Sequence, residues 1–237
     1  MSFAIERRHG TYNRQTRTEA VRYIVVHYTG SGTSAPGSAA ANCKYFAGGN
    51  RNASAHYFID DGTICEYADP AACATWHCGD GKGRYGITNA NSVGIEVCQN
   101  GDRPYTEAEV ERLAWLVRQL MERFGVPTER VVRHYDASRK ACPFYYTPSG
   151  SGGDSAWRAL RDRITREEEE QDMTPEQAQM LQRIHDEVKR TDDCTGRERG
   201  MLDHDKLNWL GANQSDMRKR IDDMDKKLDS IIEALSK

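Results

Sequence analysis

No run of apolar residues in this 237-residue chain approaches the ~18 that cross a bilayer. Nor does the opening stretch, Met1-Ser2-Phe3-Ala4-Ile5-Glu6-Arg7-Arg8-His9, hold the apolar segment of a secretory leader. The expectation is a protein made in the cytoplasm without membrane insertion. A surplus of one charge is missing too. Its 33 basic and 36 acidic residues leave a net charge of -3, so nothing marks a general nucleic-acid binder. The cysteines (43, 65, 73, 78, 98, 142 and 194) are odd in number, so they cannot all pair within one chain. Cys73 and Cys78 are close enough to be a disulfide candidate, and most of the others read as buried thiols.

The charge that is present is unevenly placed. From Arg166 onward there are 13 basic and 19 acidic residues, against 20 and 17 before it. Together with the acidic run from Glu167 to Asp172, this divides the chain into a first domain over 1–166, a linker over 167–173 and a helical region over 174–237. In that last region Thr174-Pro175-Glu176-Gln177 opens a helix with a capping box and proline at its first position. Further on, Leu207, Leu210, Met217, Ile221, Met224, Leu228, Ile231 and Leu235 step by threes and fours, with Gln214 breaking the register. This coiled-coil-like seam of about four heptads is too thin to form a core. It needs a partner helix: a second copy in a homo-oligomer, the helix near 175–190, or the first domain.

The first domain alternates strand and helix patterns. Arg22–Tyr28 is a β-branched and aromatic run that stops at Thr29-Gly30-Ser31-Gly32, with His27 at its C-terminal end. A histidine there is delivered to a cleft, or is structural. Ser38–Phe46 reads as a helix closed by Gly48-Gly49. Ala55–Ile59 and Thr63–Tyr67 form a hairpin around Asp60-Asp61-Gly62. Residues 68–91, with Trp76-His77-Cys78-Gly79, read as an irregular loop. Val93–Cys98 returns to strand pattern, and its Glu96 either faces solvent by alternation or projects into a site. A capping box at Thr106-Glu107-Ala108-Glu109 opens a helix that Gly125 and Pro127 end. A strand over Arg130–His134 and a closing helix from about Asp154 to Thr165 complete the domain.

The segment Arg133-His134-Tyr135-Asp136-Ala137-Ser138-Arg139-Lys140-Ala141-Cys142-Pro143 brings an imidazole, an ammonium and a thiol close together. His134 and Cys142 read either as two ligands of one zinc ion or as a surface histidine and a buried thiol. Their separation exceeds the i, i+4 step of one helix face, so shared ligation needs a strand end and a loop that folds back. Lys140 would then lie beside the metal.

Four elements agree in order: Val25-Val26-His27 before a glycine turn, Ser54-Ala55-His56-Tyr57 before Asp61-Gly62-Thr63, Gly94-Ile95-Glu96, and His134 through Cys142-Pro143. Over roughly residues 15–165 the chain resembles the zinc-dependent N-acetylmuramoyl-L-alanine amidases of the type 2 amidase and peptidoglycan recognition protein family, which includes bacteriophage endolysins. The resemblance implies an α/β fold, with a mixed central β-sheet flanked by helices, and leaves the C-terminal helical, coiled-coil-like region outside it. It also implies a zinc (Zn2+) site of His27, His134 and Cys142, which leaves a fourth position for water. The substrate would be bacterial peptidoglycan, cut at the amide between N-acetylmuramic acid and L-alanine. Lys140 would stabilise the oxyanion and Glu96 would carry the proton.

Some members of that family place a tyrosine just before the hairpin histidine. Ala55 stands there in this sequence, which shifts the expected base to Glu96; His56 would support the site from behind the ligands or pack the hairpin, and is not itself a ligand. Trp76 and His77 would flank the peptide groove, or Trp76 would anchor the loop to the core. Arg139 would meet a substrate carboxylate or remain solvated. Glycan-binding aromatic or glycine-rich repeats are absent, so oligomerisation precedes wall targeting as the reading of the C-terminal helices. Two rival functions share the fold: a recognition module that holds peptidoglycan without cutting it, and an intracellular amidase that recycles wall fragments. A retained Cys142 favours the enzyme over the first. The added helices favour a phage or prophage endolysin over the second.

Overall fold

The computed structural model describes residues 2–166 and, beyond them, the isolated positions 179, 183, 226 and 227. The chain divides into two compact units, Met1–Glu167 and Glu168–Lys237. The heptad seam and the capping box at Thr174 lie outside the described residues.

In chain order the first unit holds β1 (Ile5–Arg7), β2 (Arg14–Thr16), β3 (Tyr23–Tyr28), α1 (Ser38–Ala47), β4 (Tyr57–Ile59), β5 (Ile64–Glu66), β6 (Cys73–Thr75), β7 (Ser92–Val97), α2 (Glu107–Phe124), β8 (Val131–Arg133), α3 (His134–Ser138) and α4 (Gly153–Thr165). Six strands form a mixed sheet in the order β1-β5-β4-β7-β3-β8, and β2 pairs with β6 in a separate ribbon. Within the sheet only the β4–β5 hairpin pair is antiparallel; the other neighbours run parallel.

Strand alternation sorts the sheet into two faces. Ile24 and Val26 of β3, Tyr57 and Ile59 of β4, and Val93, Ile95 and Val97 of β7 pack with Val110, Leu113 and Val117 of α2 and Trp157, Leu160 and Ile164 of α4. Helix α2 begins where the sequence predicts. The Thr106 hydroxyl accepts from the Glu109 amide at 3.1 Å, and the Glu109 carboxylate accepts from the Thr106 amide at 2.9 Å. Such a cap contributes about 1 kcal/mol. Gly125 ends the helix at φ 64°, in the left-handed region that costs glycine least. The opposite parity (Val25 and His27 of β3, Phe58 of β4, Gly94 and Glu96 of β7) falls on the other face. There α1 packs its Ala39 and Cys43 against Phe58 and Cys65. Ile87 of the long loop and Ala137 of α3 pack against Val25.

The structure departs from the sequence reading in three places. Residues 68–91 are not irregular throughout, because β6 pairs with β2 and a 3-10 turn spans Gly79–Gly81. His134 does not end a strand that runs into a loop. It starts the short helix α3, where Asp136 accepts from both the backbone amide and the guanidinium of Arg133. Cys73 and Cys78 are free thiols with different neighbours: Cys73 accepts from Arg14 in the ribbon, and Cys78 lies against Ser92 of the main sheet.

Candidate metal centre and cleft

His27 stands near the C-terminal end of β3, His134 at the first position of α3, and Cys142 in the loop that follows. The eight-residue gap closes on itself through backbone bonds. The Tyr135 amide donates to the Cys142 carbonyl at 2.9 Å, and the Cys142 amide donates to the Lys140 carbonyl at 2.7 Å. Arg139 turns the chain at φ 70°, its amide donating to the Tyr135 carbonyl. All three side chains are buried, and one ligand atom of each lies within 4.8 Å of the other two. His27 Nδ1 is 3.1 Å from His134 Nδ1 and 3.8 Å from Cys142 Sγ. A tetrahedral zinc, with bonds of ~2.0–2.3 Å, spaces nitrogen and sulfur ligands about 3.3–3.6 Å apart. The donor set and its spacing fit such an ion.

Electrostatics suit the same role. Burial holds His27 well below the usual histidine range, and the neighbouring His134 and His77 push it the same way. Burial also lowers His134, against the opposing pull of the Asp80 carboxylate. Both imidazoles are therefore neutral and keep a lone pair. Burial pushes the Cys142 thiol up, so it keeps its proton until a cation replaces it. His134 Nε2 lies 2.8 Å from Asp80 Oδ1. A carboxylate can only accept, so it takes the Nε2 proton and leaves Nδ1 bare.

Glu96 sits opposite His27 in the parallel β3–β7 register and on the same face. Burial raises its carboxyl to about 8, with the Lys140 ammonium opposing, and its Oε2 is buried without a hydrogen-bond partner. Glu96 lines a cavity of about 460 Å³ with Thr29, Ser31, Asn42, Tyr45 and Phe58, between the β3–α1 connection and α1. Lys140 is close enough to lower the pKa of both histidines, Cys142 and Glu96.

The remaining expected residues do not share one groove. His77 is buried, with Nδ1 3.0 Å from His27 Nε2; it does not flank open space. Trp76 is 38% exposed at the end of β6. Arg139 is exposed, and its guanidinium lies 4.1 Å from the Tyr85 ring centre and 5.2 Å from that of Tyr135. His56 is fully buried and accepts from the Gly94 amide and the Thr75 hydroxyl. Sequence reading missed Asp80 and Tyr85, since a long loop carries no periodicity that fixes its contacts.

A model of the family described as N-acetylmuramoyl-L-alanine amidase matches residues 17–144. CwlH of Bacillus subtilis, an N-acetylmuramoyl-L-alanine amidase, is 36% identical over 131 residues, which cover 55% of this chain and 50% of that protein. XlyA of the same organism, another such amidase, is 34% identical over 134 residues, covering 56% and 43%. The chain thus spans about half the length or less of these curated relatives. Among solved structures, a mutant endolysin from Bacillus subtilis aligns at TM-score 0.57 and 26% identity, over 69% of this chain and 99% of that one. The catalytic domain of XlyA aligns at 0.56 and 27%, over 68% and 99%.

Proposed function

Because this chain belongs to the N-acetylmuramoyl-L-alanine amidase family, we propose that it is a zinc-dependent peptidoglycan hydrolase. It cleaves the amide between the lactyl group of N-acetylmuramic acid and L-alanine of the stem peptide. The observation that carries this reading is the convergence of His27, His134 and Cys142, from three different segments, on one buried point beside the unpaired carboxylate oxygen of Glu96. Zinc held there would supply a Lewis acid and a water of lowered pKa.

The chain's own groups do the rest. The cleft under α1 receives the peptide-bearing sugar and orients its amide. Glu96, ionised, accepts a proton from the attacking water and hands it to the leaving amine. Lys140 stabilises negative charge developing on the carbonyl oxygen. Trp76 and Arg139 lie outside this core, with Trp76 offering an aromatic face to sugar or peptide and Arg139, stacked on Tyr85, an edge for a carboxylate. Mass spectrometry of digested walls names the bond. New amino-terminal alanine on the peptides supports the reading, whereas cut glycan strands with intact amides overturn it. The likeness to endolysins favours release of the protein from a lysing host over recycling of wall fragments.

Metal uptake carries its own pH signature. With both histidines neutral and the Cys142 thiol protonated, zinc displaces one proton, from sulfur. Affinity should therefore rise about tenfold per pH unit across about pH 6.5–8. Competition against a chelator at several pH values measures the slope; a flat profile rules out a thiol ligand.

For residues 174–237 we keep the proposal that the helices associate copies of the chain. Light scattering should give a mass above that of a monomer for the full chain and a monomer for a chain ending at Arg166. Equal monomeric masses remove the idea.

A further inference from the structure

His27 Nδ1 can face a metal ion only if the proton of that imidazole resides on Nε2. A chain of buried groups behind the ring enforces this. Its far end is the Thr88 carbonyl, which accepts and cannot donate. The Ser92 hydroxyl lies 2.5 Å from it and gives it the only proton it has. Ser92 Oγ must then accept from His77 Nε2, 3.0 Å away, so His77 carries its proton on Nε2 and leaves Nδ1 bare. That bare Nδ1, 3.0 Å from His27 Nε2, takes the His27 proton. The lone pair of His27 is left on Nδ1, facing His134 Nδ1 and Cys142 Sγ.

The His77 backbone is fixed as well. The Asn89 side-chain oxygen accepts from the amides of His77 and Cys78 at 3.1 and 2.8 Å. Strand β7 makes room for the ring with Gly94, where a Cβ atom would come within 2.5 Å of His77 Cγ. A histidine that merely filled space would need the same room at Gly94 but not the aligned acceptors.

We propose that His77 is a positioning residue: through Ser92 and the Thr88 carbonyl it selects the tautomer of His27 that binds metal, and it does not contact substrate. The inference rests on His27 being a ligand, but the proton positions exist before any ion arrives. The deciding experiment is long-range 1H–15N correlation NMR of the full chain, stripped of metal and then titrated with zinc. In the stripped protein His77 and His27 are expected in the Nε2–H form. A His77 in the Nδ1–H form overturns the relay whatever the metal result, whereas failure to bind zinc with both tautomers as stated overturns the metal reading and leaves the relay.

Two variants add a functional measure. His77→Phe removes the acceptor and should weaken zinc binding by about 10–100-fold. His77→Asn, whose side-chain oxygen can stand where Nδ1 does, should recover most of that affinity. Equal losses in both folded variants, or none in either, would contradict the assignment.

Discussion

In the Cys142→Ser variant, zinc content and amide cleavage fall together. A serine hydroxyl has nearly the size of the thiol, so the buried site (3% exposed) is not emptied. What disappears is a group that becomes an anion on a metal near neutral pH. Zinc affinity should drop by more than the ~10–100-fold that follows loss of an outer partner. Release of amino groups from purified walls should fall to the background of the metal-stripped protein. Metal analysis of the purified variant and a wall-release assay on the same sample measure both. Undiminished release from a zinc-free variant would sink the metal mechanism. A variant that kept zinc but lost activity would place the third ligand elsewhere.

Glu96→Gln separates the base from the metal site. The amide keeps the shape of the carboxylate and lacks its basicity, so zinc binding stays near the unaltered level while turnover falls by about 10²–10⁴. Two pH effects identify the group. As the proposed base, Glu96 works only when ionised, so the acidic limb of the rate profile should belong to it and be absent from the residual activity of the variant. The Lys140 ammonium lowers the Glu96 pKa, so Lys140→Met should move that limb to higher pH, on top of the fall in turnover that follows from removing the proposed oxyanion partner. The sign for folding is opposite to that of a salt-bridged acid. Burial raises this carboxyl from 4.5 to about 8, so the metal-free native state holds a proton that the unfolded chain releases. Its stability should decline as pH climbs through that window. Glu96→Gln should flatten the decline, as thermal unfolding of metal-free protein at several pH values would reveal. A variant that is inactive but more stable at pH ~8 has lost chemistry and not fold.

The strands and helices with strong local signals were legible in the sequence. Tyr23–Tyr28 is β-branched and ends at a glycine turn; α2 has its capping box and terminal glycine; Asp-Gly marks the β4–β5 hairpin. The three-residue strands β1, β2 and β6 left no such mark, because alternation cannot be read from three positions and their pairing depends on residues far away in the chain. The same division holds at the site. His27, Glu96, His134 and Cys142 stood out by residue type and order. The parity that puts His27 and Glu96 on one face follows from strand register and not from either segment alone. Position 77 was visible as a histidine beside a tryptophan, and only the folded loop shows it turned inward to His27. Asp80, which takes the His134 proton, lies in that same loop and was equally hidden.

The pairing of β3 with β7 has a bearing on redesign. Histidine and glutamate occupy facing rungs of one parallel ladder, so their separation is set by backbone bonds inside the sheet. The cleft, by contrast, is walled partly by α1 and the connection that precedes it. Rigid and exchangeable parts thus come from different stretches of chain. Grafting a different stretch between Thr29 and Phe46 would reshape the cleft wall while Glu96 and His27, the proposed proton carrier and metal ligand, keep their mutual geometry.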